Sequence, residues 1–363
     1  MHLRLPMPRV NFRNLFTLLV LVMAILKPFK LSAFTAADAQ TMFTAYTRAF
    51  YFTENTNGYF RATTAGDKTA FWERAEQMEM LLDVYGRTTN SACLTMFNQA
   101  FNGFITEHTL NWSKNSYNDD IMWMVIACAR GYLDTTNPIY RDAAKSNFDL
   151  CYARAWSTSL GGGLWWRTNN TSKNACVNGP AAIASHLLFQ ITGDTHYLAK
   201  SESIYQWERA TLFDTNSGAI SDAISADGKI SHWASTYNQG TFIGVANLLE
   251  HTNDALIAAD FTMNQLCRNG LFPQYPQKGD LGGFNGICVR WLAKFMNERG
   301  LQSRYGSWLR QNADAAWNAR RESDDLAWSR WPTPTPDRAL YSWACSSAVI
   351  VMHMVAPEAT HPK

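Results

Sequence analysis

Two consecutive aspartates, Asp119 and Asp120, stand at the start of an apolar stretch, 121–128, that is typical of a buried helix. Cleavage of a glycosidic bond needs one ionised carboxylate and one that can hold a proton. The dipole and free N–H groups of a helix start would keep one aspartate ionised, and its charge would raise the pKa of the other. Neighbouring side chains suit the gap of about 5–5.5 Å that retaining enzymes use. The pair therefore predicts a retaining glycosidase.

Aspartates in the first turn of a helix also have an ordinary explanation, because Asn and Asp are preferred caps. The residues around this pair favour chemistry over capping alone. Asn118 comes directly before the pair, where it would cap the helix and reach a ligand, and the broad aromatic Trp123 follows shortly after it. We expect both side chains to contact substrate.

A Gly-rich loop, 161–167, reads Gly-Gly-Gly-Leu-Trp-Trp-Arg. Three glycines allow the backbone to approach a ligand closely, and Trp165 and Trp166 offer flat faces to the C–H groups of a sugar. The sequence contains fourteen Trp in all, which suggests a cleft lined by aromatic side chains. A tight turn whose Trp side chains pack on a neighbouring helix explains the loop equally well.

Further polar residues fall near the starts of later apolar segments. Asn178 precedes one of them, and Tyr237, Asn238 and Gln239 precede another. Amides can bond sugar hydroxyls, although small residues there could also relieve crowding between converging helices. Asp222 lies in a predicted small hairpin, where we favour it as a substrate-binding carboxylate over a residue that only forms the turn.

The elements that must position these residues alternate in a regular way. Five short turns containing Gly, Asn or Pro alternate with six longer connections rich in Gly, Asn, Thr and Trp. The longer connections are 53–68, 109–118, 157–174, 212–234, 269–283 and 320–340. This spacing predicts twelve helices in six antiparallel pairs, with every long connection at the same end.

The helices also differ in polarity according to what precedes them. Those after a long connection are the more apolar: 121–132, 175–191, 240–249, 287–295 and 341–355. Those after a short turn carry a charged face: 138–154, 197–209 and 302–321. An inner ring of six helices wrapped by an outer ring of six, an all-α (α/α)6 barrel, satisfies both patterns. The segment 69–85 is the exception, since Glu73, Arg74, Glu76 and Glu79 make it too polar for an ideal inner helix.

Composition excludes several other classes of function. A net charge of +2 and the absence of a clustered basic face argue against nucleic-acid binding. The seven Cys lack C-x-x-C spacing, so we expect no structural metal and interpret most of them as small core residues, although an exported protein could oxidise one or two pairs. No organic cofactor and no protein partner are implied, and we expect a monomer.

The N-terminus predicts export. Three Arg precede an apolar run of twelve residues, 15–26, which fits a signal peptide and is too short for an ordinary membrane span. We therefore expect residues 1–33 to be a signal peptide, or an uncleaved anchor, followed by one catalytic domain at 34–357. Residues 358–363 form a polar tail, which does not fit a glycolipid-anchor signal. The expected location is secreted or at the cell surface.

Several of these motifs together resemble glycoside hydrolase family 76. They are Tyr-Asn-Asp-Asp-Ile-Met-Trp at 117–123, Gly-Gly-Leu-Trp-Trp-Arg at 162–167 with Lys-Asn-Ala at 173–175, and Phe-Trp-Glu-Arg-Ala-Glu at 71–76. The resemblance implies an (α/α)6 fold and endo-acting, retaining hydrolysis of α-1,6-linked mannan or its oligosaccharides. It also implies that Asp119 is the nucleophile and Asp120 the general acid/base.

Three alternatives stay open at this point. A cell-wall transglycosidase would use the same aspartates and differ only in its acceptor, and the lack of an anchor signal favours hydrolysis. A non-catalytic glycan-binding barrel would leave the paired aspartates without a task. A terpenoid synthase would need a third carboxylate shortly after Asp120, where the chain has only apolar residues up to Met124.

Overall fold

The computed structural model describes residues 33–357. The predicted signal segment, apart from its last residue, and the polar tail at 358–363 lie outside the described residues. Twelve α-helices make up most of this part of the chain. They are α1 (Ala36–Phe50), α2 (Phe71–Thr88), α3 (Ser91–His108), α4 (Asn118–Thr135), α5 (Pro138–Ala155), α6 (Ala175–Thr192), α7 (Thr195–Thr211), α8 (Thr236–Leu248), α9 (Thr252–Phe261), α10 (Phe284–Glu298), α11 (Ser307–Ala319) and α12 (Ser342–Met354).

The helices form two concentric rings. The even-numbered helices pack side by side, and α12 packs back against α2, which closes an inner ring of six. The odd-numbered helices lie outside them. The difference in polarity explains the arrangement, because α8 is buried on every side over 236–247, whereas α11 buries one face and exposes the other. The (α/α)6 barrel expected from the sequence is confirmed.

Short turns join each inner helix to the outer helix that follows it. Asn90, Asn137 and Asp194 cap α3, α5 and α7 by accepting a backbone N–H in the first turn. Gly193 ends α6 in the left-handed conformation. Because the short turns all lie at one end, the long connections and the N-termini of the inner helices share the other end, called here the mouth.

The long connections contain short strands, of which the sequence predicted only a small hairpin at Asp222. β1 (Tyr51–Glu54) and β2 (Asn57–Phe60) form an antiparallel hairpin. β3 (Ser172–Asn174), β4 (Ala223–Ser225) and β5 (Ile230–Ser231) form an antiparallel sheet in that order. The β4–β5 hairpin, which directly follows Asp222, corresponds to the hairpin expected from the sequence.

Helix α2 is an inner helix in spite of its charges. Glu76, Glu79 and Asp83 are fully buried or nearly so. Arg290 from α10 bonds Glu76 at 2.6 Å and Asp83 at 2.7 Å, and Arg130 from α4 bonds Glu79 and Asp83 at 2.7 Å. The polarity that made the segment 69–85 a poor inner helix is therefore compensated by cations on neighbouring inner helices.

Other features of the described residues can be stated briefly. All seven cysteines are buried and free of disulfides, as expected of small core residues. Within residues 33–357, no helix combines the length and apolarity needed to cross a membrane.

Candidate active site

The long connections enclose a cavity of about 670 Å³ at the mouth of the barrel. Its walls come from all around the inner ring. The lining residues are Trp72, Tyr117, Asp119, Asp120, Trp123, Trp166, Asn174, Cys176, Asp222, Trp233, Tyr237, Asp280, Leu281 and Phe284. Polar groups converging in an aromatic cavity are the usual features of a binding site for a small polar ligand.

Asp119 and Asp120 are the second and third residues of α4, so both carboxylates lie in its first turn. The sequence interpretation of Asn118 as the cap is revised, because Tyr117 holds that position and Asn118 is the first helical residue. The Asn118 side chain is buried and donates to the Trp165 carbonyl at 2.7 Å. Its Oδ1 accepts from Arg154 Nε at 2.7 Å. Asn118 therefore ties the Gly-rich loop to α4, and it does not line the cavity.

Asp119 occupies the more secluded of the two carboxylate environments. Its Oδ2 accepts a weak hydrogen bond from the Cys176 thiol at 3.7 Å. Its Oδ1 is buried and has no hydrogen-bond partner among the described residues. Burial and the neighbouring charge of Asp120 raise the pKa of Asp119 to about 8, and the nearby Trp166 indole N–H counteracts this only in part, since no well-formed hydrogen bond joins them.

Asp120 accepts a stronger hydrogen bond than Asp119 does. Its Oδ2 accepts from Asn115 Nδ2 at 2.8 Å. Burial raises its pKa to about 6, the Asn115 hydrogen bond acts in the opposite direction, and the charge of Asp280 adds to the rise. With both pKa values raised, the two carboxylates hold about one proton between them near neutral pH.

Aromatic side chains form much of the cavity wall. Trp72 packs edge-on against Trp343, with ring centroids 4.7 Å apart. Trp123 lies beside Trp72 and lines the cavity, where the sequence placed it. Trp166 contacts Tyr117 edge-on at 5.4 Å and also faces the cavity. Across from them, Tyr237 stacks on Phe284 at 3.7 Å. Such flat apolar surfaces suit the C–H faces of pyranose rings.

The predicted substrate carboxylate Asp222 lies in the cavity. Burial raises its pKa, and a hydrogen bond from Asn238 Nδ2 at 3.2 Å counteracts the rise. Asn238 itself is fully buried and does not line the cavity, so its predicted contact with substrate is revised to a contact with Asp222. Tyr237 lines the cavity as expected.

The sequence predicted that Asn178, Gln239 and Trp165 contact substrate, and the structure places all three outside the cavity lining. Asn178 bonds both the N–H and the carbonyl of Leu164, at 2.8 and 3.2 Å. Gln239 accepts from the Ile220 N–H at 2.6 Å and donates to the Gly218 carbonyl at 3.0 Å. These amides satisfy the backbone of the long connections, which cannot otherwise be buried. Trp165 is 8% exposed, and its ring lies 4.8 Å from the buried Lys173 Nζ.

Two of the three glycines in the loop at 161–167, Gly162 and Gly163, closely approach Trp207 of the outer helix α7, whereas Gly161 has nothing within 4 Å of an added Cβ. A Cβ atom added to Gly163 would lie 2.4 Å from the Trp207 ring. The Trp207 indole donates to the Leu160 carbonyl at 2.9 Å. The packing explanation of this loop therefore holds for Gly162 and Gly163, and of the loop residues Trp166 alone lines the cavity.

Several lining residues were not identified as site residues from the sequence. Tyr117, Asn174, Trp233 and Asp280 all lie within four residues before the start of an inner helix. That position was the available signal, because the last residues of each long connection must point toward the mouth. Trp233 is the most informative of them, with 46% of its surface exposed at the cavity.

The site offers no evident metal centre. Within residues 33–357, no group of three or more His, Cys, Asp or Glu side chains is arranged to hold a metal ion. The acidic groups of the cavity are Asp119, Asp120, Asp222 and Asp280. They are suited to hold protons, accept hydrogen bonds from hydroxyl groups and face a developing positive charge.

A barrel of this type with paired carboxylates in an aromatic cavity at its mouth defines a carbohydrate-active enzyme. Comparison with known proteins is more specific, since residues 31–361 match the sequence pattern of Glycosyl hydrolase family 76. The chain belongs to this family of glycoside hydrolases, as its motifs predicted.

Similar proteins include a bacterial α-1,6-mannanase and a yeast mannan endo-1,6-alpha-mannosidase. The α-1,6-mannanase GH76A of Salegentibacter sp. HEL1_6 is 30% identical, with a TM-score of 0.81 over 88% of this chain and 98% of that one. An inactive variant of it, with two consecutive aspartates changed to asparagine, was solved with α-1,6-mannotriose at 29% identity, the same TM-score and the same coverage. The mannan endo-1,6-alpha-mannosidase DCW1 of Saccharomyces cerevisiae is 29% identical over 164 residues, which span 40% of this chain and 36% of the yeast protein.

Proposed function

We propose that the protein hydrolyses α-1,6-mannosidic bonds inside mannan chains with retention of configuration. The observation that carries the proposal is the pair Asp119 and Asp120, which shares about one proton at the wall of an aromatic cavity open at the barrel mouth. Family membership and the likeness to α-1,6-mannanases support the choice of substrate.

The different surroundings of the two carboxylates support distinct roles. Asp119 is the proposed nucleophile, because its Oδ1 has no hydrogen-bond partner among the described residues and its Oδ2 has only a thiol. Weak hydrogen bonding leaves the oxygen electrons available for attack on the anomeric carbon. Asp120 is the proposed general acid/base, held by Asn115.

The proton must move for this assignment to work. In the free protein the higher pKa of Asp119 favours the proton on Asp119. Positive charge that develops at the anomeric carbon of a bound sugar stabilises the Asp119 anion. The shared proton then moves from Asp119 to Asp120. Asp120 then protonates the leaving oxygen as Asp119 forms the glycosyl-enzyme bond, and later removes a proton from the attacking water.

The test is digestion of unbranched α-1,6-mannan by the purified protein, with the first anomer followed by NMR and the products by chromatography. We expect short oligosaccharides of mixed length, released first as the α-anomer. Asp119→Asn should abolish this release, while Asp227→Asn, on the exposed turn of the β4–β5 hairpin, should leave it unchanged.

Three results would contradict parts of the proposal. Release of the β-anomer first would exclude retention, and release of mannose alone would exclude endo action. Products longer than the starting oligosaccharides would indicate a transglycosidase, in which a sugar hydroxyl replaces water as the acceptor.

We also propose that this activity operates outside the cytoplasm, because mannan is a polymer too large to enter it. The support is the charged-then-apolar pattern of residues 1–33. Mass spectrometry of the N-terminus of the protein recovered from culture medium would test it. Recovery only from the cytosol, with residues 1–33 intact, would refute it.

A further inference from the structure

Lys173 holds a buried ammonium group beside the active site. Its side chain is fully buried in β3, between the rings of Trp165 and Trp207 at 4.8 and 5.8 Å. Its Nζ donates to the Ser157 carbonyl and hydroxyl, both at 3.0 Å, to the Ser159 carbonyl at 2.7 Å and to the Gly162 carbonyl. These oxygens of Ser157, Ser159 and Gly162 are called here the lysine cage.

A buried cation is normally paired with a carboxylate. None of the ion pairs among residues 33–357 involves Lys173, so the lysine cage is neutral. Burial lowers the pKa of Lys173 to about 8, which leaves the ammonium as the main form at neutral pH. The charge is therefore compensated by the carbonyl and hydroxyl dipoles of the cage and by the neighbouring Trp165 and Trp207 rings, without a carboxylate.

The backbone conformation explains why a cation is needed at this point. Leu160, Gly161, Gly162 and Gly163 all have positive φ, at 58°, 82°, 131° and 80°. The left-handed region is unfavourable for a leucine, because its Cβ comes too close to a backbone carbonyl oxygen. Buried carbonyls that converge on one point also repel one another unless a positive charge lies between them.

The loop folded by the lysine cage is attached directly to the catalytic helix. The Trp165 carbonyl accepts from the Asn118 side chain at 2.7 Å, and the Trp166 carbonyl accepts from the Asn118 N–H at 2.8 Å. Tyr117 and Arg167 form a β-bridge. A shift of the loop would therefore displace both Trp166 and the first turn of α4.

We propose that Lys173 is a positioning residue, whose ammonium acts as an internal cation that folds the loop at 157–163 and thereby places Trp166 against Asp119. The chemistry of the cage implies a ligand class. Once the side chain is truncated, the cage becomes a binding site for a primary alkylammonium ion. The kinetic part of the test depends on the proposed mannanase activity, and the binding part does not.

Three variants separate charge from packing. Lys173→Met keeps most of the apolar chain without the charge, Lys173→Ala opens the cage, and Lys145→Ala removes a half-exposed surface lysine as a control. We expect kcat on α-1,6-mannan to fall on the order of 100-fold in both Lys173 variants, because a small misplacement of reacting groups has effects of that size. The control should keep wild-type kcat.

The distinguishing result is chemical rescue. Propylammonium, which matches the atoms removed in Lys173→Ala, should restore at least a tenth of wild-type kcat and raise the melting temperature of that variant. Tetramethylammonium, which has no N–H donor, and sodium chloride at equal ionic strength should do neither.

Two outcomes would overturn the proposal. Wild-type kcat in Lys173→Met would show that packing alone suffices. A melting temperature of Lys173→Ala that propylammonium does not change would show that the cage has no affinity for an ammonium, even if the variant is too unstable for assay. If the wild-type protein proves inactive on mannan, the proposed function fails, and the melting temperatures still decide the role of Lys173.

Discussion

At the scale of single residues, the proton shared by Asp119 and Asp120 should control the pH dependence. The proposed mechanism requires one carboxylate ionised and the other protonated, so kcat/KM for mannan should be highest between about pH 6 and about pH 8. The acid and alkaline limbs of this pH profile report apparent pKa values of the pair and not of either aspartate, since strongly coupled groups titrate together.

Substitution of Asn115 should shift the acid limb of the pH profile alone. Asn115→Asp keeps the acceptor for the Tyr117 N–H and replaces the donor to Asp120 with a negative charge. The lost hydrogen bond and the added negative charge both raise the pKa of Asp120. The acid limb of the pH profile should therefore move upward by about one pH unit. Asn111→Asp adds the same charge at an exposed position of the same loop. An acid limb that is unmoved, or that moves equally in both variants, would contradict the role given to Asn115.

Trp233 should act as a platform for a sugar ring. Its indole is 46% exposed at the cavity, near Phe284 with ring centroids 6.5 Å apart. Trp233→Ala should raise KM for mannan between about two- and tenfold, the factor that corresponds to about 0.5–1.5 kcal/mol of aromatic contact, with the melting temperature unchanged. Trp233→Phe should retain most of the affinity. Leu133→Ala, which removes an equally exposed side chain, should leave KM as it is, and a rise there would show that the assay reports general damage.

At the scale of elements, the long connections depend on amides that protrude from the inner helices. Asn118, Asn178 and Gln239 each bind the backbone of a loop. A loop folded over a barrel mouth has buried N–H and C=O groups, and each needs a partner. The inner helices therefore hold the walls of the site as well as Asp119 and Asp120.

Ionisation of Glu76 in α2 should make the free energy of unfolding depend on pH. Burial raises the pKa of Glu76 from 4.5 to about 8. A carboxyl whose pKa is higher in the folded state contributes stability that is complete below pH 4.5 and is lost as the pH rises through about 8. Glu76→Gln imitates the protonated form, so its free energy of unfolding should fall less than that of the wild type between pH 5 and pH 8.5. Urea unfolding at several pH values measures this.

The control for that measurement is Glu298→Gln, which changes a half-exposed carboxylate on α10. Its stability should follow the wild-type pH dependence. A wild-type slope in Glu76→Gln would mean that Glu76 is ionised in the folded protein, stabilised by Arg290.

At the scale of the whole molecule, closure of the inner ring depends on close helix packing. A Cβ atom added to Gly240 of α8 would lie 2.5 Å from Cα of Cys288 on α10. Gly240→Ala should therefore lower the free energy of unfolding by about 1–3 kcal/mol, because the helices must separate. Gly86, in α2, has nothing within 4 Å of its added Cβ, and Gly86→Ala should stabilise the protein by about 0.5–1 kcal/mol. Equal effects in thermal unfolding would contradict the packing argument.

The sequence by itself determined the helix count, the alternation of short and long connections and the position of Asp119 and Asp120 at the mouth. These features follow from local periodicity and caps, which depend on residues a few positions apart. The predicted inner segment 121–132, for example, lies inside the observed helix Asn118–Thr135.

Only the tertiary structure decided what the polar side chains do. Asn178 and Gln239 bind loops, Trp233 and Asp280 face the cavity, and Asp83 is neutralised by Arg290, which lies 207 positions along the chain. A side chain's direction and its distant partners depend on how the helices pack together, and no local period carries that information. For this reason Asp119, Asp120 and part of the cavity lining, such as Trp166 and Asp222, were evident in the sequence, whereas Trp233, Asp280 and the loop-binding amides were not.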